Sequence, residues 1–392
     1  MAPPNLGLLP SQHFSKYLRI VEIFAICCGT NIFRPDFKFN ALTWFLIGVI
    51  ATFFMFTSYT MYVGVVIEHD YTTILQSLCV TGSATQGTAK LISGLSQAAC
   101  IRSLLSEILI MYEEYERQDE RYLYYLRSTL SLLKRAVFAL LLIYSVQTIG
   151  VLAVPLYYHL VRDERIDIIR LLVPGIDKNT PFGFSTYHFY HTCCVCFASF
   201  GNFANDTLMV LLVVHIPLMK NILKLKFDHL DEVLQQHPRN PERTEPLLRE
   251  IFQWHKKEIT FVQRVTKTFF WVIFVQIFAS TLAIICIIVC QFLGVWPAAP
   301  VYMMYCFAIL YLFCGFGNLV QNSNDDLTTI IYDCNWYELT VREQKMILIM
   351  LRESQYPTSM SVGGIMPLSL NTALQLTKTI YTAAMILNEF VN

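Results

Sequence analysis

From Thr268 to Asn324 the chain runs for 57 residues without an Asp, Glu, Lys, Arg or His. At about 1.5 Å of rise per helical residue this is far more than the roughly 20 residues that cross a hydrocarbon core, and Gly294-Val-Trp-Pro-Ala-Ala-Pro300 interrupts it. The stretch predicts two membrane helices joined by a tight turn. The rest of the chain is of the same kind, with 55% hydrophobic and 15% charged residues and a mean hydropathy of +0.46, so a bilayer is the expected solvent.

Two further runs, Phe39 to Ile67 and Ala136 to Val161, carry no charge. Tyr187 to Met219 is apolar apart from Asp206. Ile74 to Leu95 is rich in Ser, Thr, Gly and Ala, which suits a helix surrounded by other helices rather than by lipid. Met366 to Phe390 holds Lys378 and Glu389, so one side should face protein or water. The reading is an all-α membrane protein, a single domain over 1–392, with seven transmembrane helices at about 41–67, 74–95, 136–160, 187–217, 269–293, 300–321 and 366–390. Aromatic residues alternate with charges at helical spacing in Ile108 to Leu126 and Ile222 to Leu234, so helices should extend beyond the membrane into an anchor region.

Positive charge orients the spans. With the amino terminus inside, 23 of the 29 Lys and Arg fall in cytoplasmic pieces and 4 in outer ones, Lys90 and Lys378 lying within spans. The carboxy terminus is then extracellular, which inverts the topology of G-protein-coupled receptors. The opening MAPPNLGLLPSQHFSKYLRI lacks the continuous apolar stretch and cleavage site of a secretory signal, so the first span is expected to direct insertion. The net charge of zero implies no nucleic-acid partner. The twelve cysteines lie mostly in apolar segments, and no disulfide framework is expected. The sequon Asn205-Asp206-Thr207 falls inside an apolar segment, out of reach of glycosylation.

No catalytic motif appears in a plausible context, so the chain is not read as an enzyme. His188, His191 and Cys194 could share a helical face, but closed metal sites bring paired ligands from a second segment, and no metal or cofactor is expected. Tyr and His crowd the outer ends of several helices, either as an interfacial belt or around a small apolar cavity with a few polar tips. In the last helix Thr382, Ile386 and Glu389 follow i, i+4, i+7 with Phe390 beside them. A Glu in such a helix marks an ion path or sits at the outer headgroups.

The carboxy-terminal third resembles the insect odorant receptor family. The likeness rests on Tyr332-Asp-Cys-Asn-Trp336-Tyr-Glu-Leu, Arg342 to Lys345, Leu351-Arg-Glu-Ser-Gln355-Tyr-Pro357, Pro367-Leu-Ser-Leu370-Asn-Thr372 and Lys378-Thr-Ile-Tyr381, in that order and spacing. Length, span count and inverted topology extend it more weakly to the whole chain. Related gustatory receptors end in Thr-Tyr, five apolar residues and Gln-Phe; here Ala383 and Glu389 stand in the Tyr and Gln places. The family's co-receptor has a long insertion in its second cytoplasmic loop, for which Leu218 to Lys267 is too short, so the resemblance implies an odorant-specific tuning subunit.

The resemblance further implies a heterotetrameric, ligand-gated, non-selective cation channel built with the odorant co-receptor, serving sensory transduction in olfaction from the plasma membrane of olfactory neuron dendrites. Its pore would be lined by the last helix, with Thr382, Ile386, Glu389 and Phe390 along it and Ile386 at the hydrophobic gate. A small volatile ligand, aromatic or heterocyclic, would bind in the outer half among Tyr71, Leu75, Leu78, Ile149, Leu152, Tyr157, His188, Thr192, Val195, Tyr302 and Tyr305. The alternatives are a gustatory-receptor-type channel and a G-protein-coupled receptor, the latter disfavoured by the charge distribution and the lack of a DRY-like motif after the third span. A transporter would need discontinuous helices and an inverted repeat, neither of which is found.

Overall fold

A computed structural model describes residues 9–391 except Tyr71, Arg165 and 177–179, and omits the side chains of Asn388, Phe390 and Val391. The uncharged stretch forms the end of one helix and most of the next. Helix α8 (Pro241–Phe292) and helix α9 (Ala299–Asp333) are joined by a short turn. Gly294 takes φ +66° in that turn, a left-handed conformation that glycine adopts without strain, and Trp296 packs inward just beyond it.

Before them come α1 (Pro10–Cys27), α2 (Ala41–Tyr62, continued by a π-turn over Val63–Ile67), α3 (Thr72–Ser96), α4 (Ala98–Tyr115) and α5 (Glu120–Val161). Helices α6 (Pro181–Val213) and α7 (His215–Gln236) follow as one nearly continuous rod interrupted at Val214. After α9 come α10 (Val341–Ser354), a two-stranded antiparallel hairpin of β1 (Ser361–Val362) and β2 (Met366–Pro367), and α11 (Leu370–Val391). The last helix therefore begins at Leu370, four residues after the expected Met366, because Met366 pairs with Val362 in the hairpin.

Among the described residues, five helical segments are long and apolar enough to cross a membrane: Ala41–Ile67, α5, the α6–α7 rod, α8, and α9 with its continuation to Glu338. Helices α3 and α4 pass that test only together, across a 74° bend. Helix α3 is polar because it is internal. It packs chiefly on α8 and also on α6 and α2, and it buries Gln76, Ser77, Gln86 and Lys90 among them. By contrast α2 and α5 turn apolar side chains outward, with Trp44, Phe138, Ile149 and Leu156 all exposed, as lipid-facing helices should.

At the basic end of the molecule, lower α8 packs on α4, α7 and α10. Lys226 pairs with Glu250, Arg264 with Glu107, and Lys220 with Asp326 at 2.6 Å. Trp254 donates to the Met219 carbonyl at 3.0 Å, and Tyr112 meets His215 at 3.0 Å beneath the ring of Phe14. Helix α1, which hydropathy did not single out, is thereby held against α4 and α6. At the other end the segment after α5 folds back over the bundle. Arg170 pairs with Glu68 and Asp70, Leu172 donates to the Thr60 hydroxyl at 2.7 Å, and Ile168, Ile169 and Leu171 are buried.

Glu258 sits in the part of α8 below the expected span, fully buried, and its Oε2 has no hydrogen-bond partner among the described residues. Burial pushes its carboxyl up to about 8, with the Lys220 ammonium opposing the shift. Since the folded value exceeds the ordinary one, the stability this group allows is complete below about pH 4.5 and is lost as pH rises through about 8. Glu258→Gln should therefore melt at a higher temperature than the wild type in detergent, with the gap widening from pH 5 to pH 8.5. A gap that does not change with pH would contradict a buried, protonating carboxyl.

Candidate functional site

Lys90 on α3 and Asp206 on α6 are each 1% exposed, and their Nζ and Oδ1 lie 2.5 Å apart. Neither charge would be tolerated alone in apolar surroundings, so the pair joins the two helices wherever the bundle places them. Tyr144 of α5 donates its hydroxyl to Asp206 Oδ2 at 2.6 Å, and Tyr305 of α9 donates to Tyr144 at 3.4 Å. The Lys90 ammonium also lies 5.6 Å from the ring centre of Phe313 on α9. Four helices thus meet at one buried polar node.

Directly against this node is a cavity of about 130 Å³ with a mainly apolar wall. Leu46, Val49 and Phe53 of α2 form one side, Val80 and Leu91 of α3 another, and Val151, Val195 and Trp296 close it further. Ile169 from the folded-back segment contributes as well. The polar groups gather on α6, where Ser199, Asn202 and Asn205 recur at helical spacing, and on Tyr144, Gln147, Tyr302 and Tyr305. An apolar cavity of roughly 150 Å³ accommodates benzene, so this one matches a single-ring molecule. A second cavity of about 20 Å³ shares Thr30, Leu91 and Asn205 with the first and reaches Lys90, where there is room for one water.

Of the residues expected to bind ligand, the cavity gathers Val195, Tyr302 and Tyr305. Leu75, Leu78, Leu152, His188 and Thr192 are partly buried but do not line it, and Tyr71 lies outside the described residues. Ile149 and Tyr157 are 66% and 54% exposed on the outer side of α5. The physical reason is depth and facing. The expected set followed the aromatic ends of the helices, whereas the space opens beside the polar node, where α2 and α6 touch only lightly. His188 is held by the Phe184 and Ile166 carbonyls at 3.1 and 3.4 Å, and His191 by the Leu171 carbonyl at 3.2 Å, so both imidazoles serve local structure.

Sequence reasoning treated Lys90 and Asp206 separately, passed over Ser199 and Asn202, and read Asn205 only as part of a sequon. The available signal was a polar stripe at i, i+3, i+6 inside an apolar helix, together with two opposite charges in otherwise uncharged spans. On α11, Thr382, Ile386 and Glu389 are exposed on the face away from α8 and α9, while the Phe390 side chain lies outside the described residues.

The family model described as 7tm Odorant receptor matches residues 70–381. Putative odorant receptor 83c of Drosophila melanogaster is 23% identical over 393 aligned positions, which cover 96% of this chain and 98% of that relative. Odorant receptor 19a of the same fly is 33% identical over a shorter stretch of 78 residues, 20% of each chain. Among solved structures, the insect olfactory receptor OR5 from Machilis hrabei superposes with a TM-score of 0.75 at 17% identity, covering 97% of this chain and all of that one. The same receptor in complex with eugenol superposes with a TM-score of 0.76. At that identity the likeness is one of fold, the all-helical seven-span architecture of a membrane protein.

Removing one partner of the buried ion pair leaves a bare charge and should cost about 3–5 kcal/mol. Lys90→Met and Asp206→Leu should each lower the melting temperature and surface abundance sharply, and the double variant should recover much of both. Two additive losses would show that the charges do not depend on each other.

Proposed function

The chain belongs to the odorant receptor family, and from that premise we propose that it is the odorant-binding, tuning subunit of a heteromeric ligand-gated cation channel. The observation that carries the binding half is the cavity beside the Lys90–Asp206 node: enclosed by five helices, mainly apolar, and sized for one small ring. The Machilis hrabei receptor, which shares the fold, has been solved with eugenol, itself a small volatile, and this supports a ligand of similar size here. Val195, Tyr302 and Tyr305 are proposed as contact residues from the expected set. Phe53, Ser199 and Asn202 are added from the wall.

The channel half is supported by α11. Its inner face buries Thr372, Ala373, Ile380 and Ala384 against the rest of the chain, while Leu374, Lys378, Tyr381, Thr382, Met385 and Ile386 are exposed. An exposed stripe of mixed apolar and polar residues on a chain-terminal helix suits a surface shared with neighbouring subunits around a pore. In this reading Thr382, Ile386 and Glu389 face the ion path, Phe390 being the next residue in the sequence, and a ring of Ile386 side chains excludes water until ligand binding widens it. The ligand contributes only its differential affinity for the open arrangement, a coupling typically of about 1–3 kcal/mol. The lower ends of α7, α8 and α9 with α10 form the cytoplasmic anchor towards co-receptor subunits. The amino terminus faces the cytosol, as the excess of Lys and Arg at that end supports. The setting is the plasma membrane of olfactory neuron dendrites.

Co-expressed with the odorant co-receptor, the chain should give volatile-evoked cation current; current without the co-receptor would favour a gustatory-type channel instead. Ala198→Phe, which projects a ring into the cavity, should reduce sensitivity to an activating volatile at least tenfold while leaving surface abundance intact. Ile386→Ala should raise ligand-free current, and unchanged basal current would remove Ile386 from the gate. An epitope at residue 1 should be reached by antibody only after permeabilisation.

A further inference from the structure

The hydroxyl groups around the cavity have a common bias that follows from counting protons. A hydroxyl has one proton to donate and two lone pairs with which to accept. Asp206, ionised beside Lys90, can only accept, so the Tyr144 proton is committed to it at 2.6 Å. The Tyr144 oxygen is then left as an acceptor, and Tyr305 commits its own proton there at 3.4 Å. Tyr302 donates to the Cys79 carbonyl at 3.3 Å, Thr88 to the Ala84 carbonyl at 2.8 Å and Ser199 to Gln147 Oε1 at 3.1 Å.

Asn202 adds a buried amide acceptor. Its Nδ2 donates to the Ala198 carbonyl at 2.8 Å, which fixes the orientation of the group, while its Oδ1 accepts nothing among the described residues although the residue is only 1% exposed. A buried acceptor without a donor carries a penalty that a ligand can remove. Each amide nitrogen of the wall carries two protons, of which Asn202 and Asn205 spend one each on the Ala198 and Gly201 carbonyls, so the amides keep N–H groups of their own. The hydroxyls named above therefore present lone pairs, their protons being committed, and Asn202 Oδ1 is a buried acceptor without a donor among the described residues.

We propose that the cavity is a donor-selecting site, in which Asn202 Oδ1 and the Tyr305 hydroxyl oxygen receive an O–H or N–H from a small, otherwise apolar ligand. The inference rests on the odorant-binding reading and adds the chemical class of ligand to it. Alcohols, phenols and N–H heterocycles fit; their O- or N-methylated counterparts keep the ring, replace the polar proton by a methyl group and leave Asn202 Oδ1 buried and unpaired. Asp206, which touches no ligand, is a positioning residue: it sets the direction of the Tyr144–Tyr305 relay and so the acceptor character of the wall.

The test uses matched pairs, benzyl alcohol against benzyl methyl ether and indole against 1-methylindole, on cells expressing the full chain with the odorant co-receptor. In the wild type the donor member of an active pair should be potent at a concentration about tenfold lower. Asn202→Leu should bring the two members within about twofold. Tyr144→Phe releases the Tyr305 proton and should shift the ratio towards the methylated member; loss of the donor preference in either variant supports the site. Equal potencies in the wild type would overturn the donor inference while leaving odorant binding standing, and a wild-type ratio kept by both variants would overturn the assignment to Asn202 and Tyr305. Silence towards every pair and towards a broad volatile panel, with the receptor at the surface, would overturn the odorant-binding reading and this inference with it.

Discussion

Lys90 and Asp206 meet at a depth where neither charge could stand alone. A carboxylate or an ammonium taken from water into apolar surroundings loses several kcal/mol of hydration, and only a close, well-partnered counter-charge offsets it. The 2.5 Å contact does so, and the Tyr144 hydroxyl satisfies the second carboxylate oxygen. Because the partners come from α3, α5 and α6, with Tyr305 and Phe313 of α9 alongside, the requirement to pair fixes the rotation of four helices about their axes. The bundle can slide on its apolar contacts, but it cannot turn these groups away from each other.

The cavity is a consequence of that arrangement. Where polar side chains must meet, the helices cannot also close with large aliphatic ones, and space opens between the node and the lightly packed α2. Helix α9 then connects that space to the far side of the chain. It carries Tyr302 and Tyr305 at the cavity, and three turns on it carries Gly317, where a Cβ would lie 2.0 Å from the Leu368 carbonyl. The backbone leading into α11 is seated against that glycine, so one of the helices that wall the cavity also helps to seat α11, which packs on α8 as well.

Much of this was legible in the order of residues. The absence of charge from Thr268 to Asn324, with glycine and prolines at its middle, implied two helices and a turn, and α8 and α9 meet at Gly294 as that pattern requires. The small and polar composition of the segment around Ile74 to Leu95 implied an internal helix, and α3 is packed by α2, α6 and α8. The candidate site was less legible. Tyr302 and Tyr305 were found because aromatic residues near helix ends draw attention, and Val195 through the family resemblance. Phe53, Ala84 and Asn202 were missed because nothing local distinguishes a wall residue from a packed one. The segment after α5 read as an outer loop, yet Ile168, Ile169 and Leu171 are buried, tied down through Arg170 and Thr60 in ways that no window of sequence records.

The sequence by itself determined the solvent, the helical class and the approximate position of most helices, since each follows from the local balance of apolar length against charge, which acts within one segment. It also carried the family likeness in its carboxy-terminal motifs. Only the tertiary structure decided that Lys90 faces Asp206, that Tyr144 turns its proton towards that carboxylate, and that the space beside them is left open. Those depend on the rotation of separate helices against one another, a relation between residues 62 positions apart for Tyr144 and Asp206, and further for Lys90 and Asp206, that no single segment encodes.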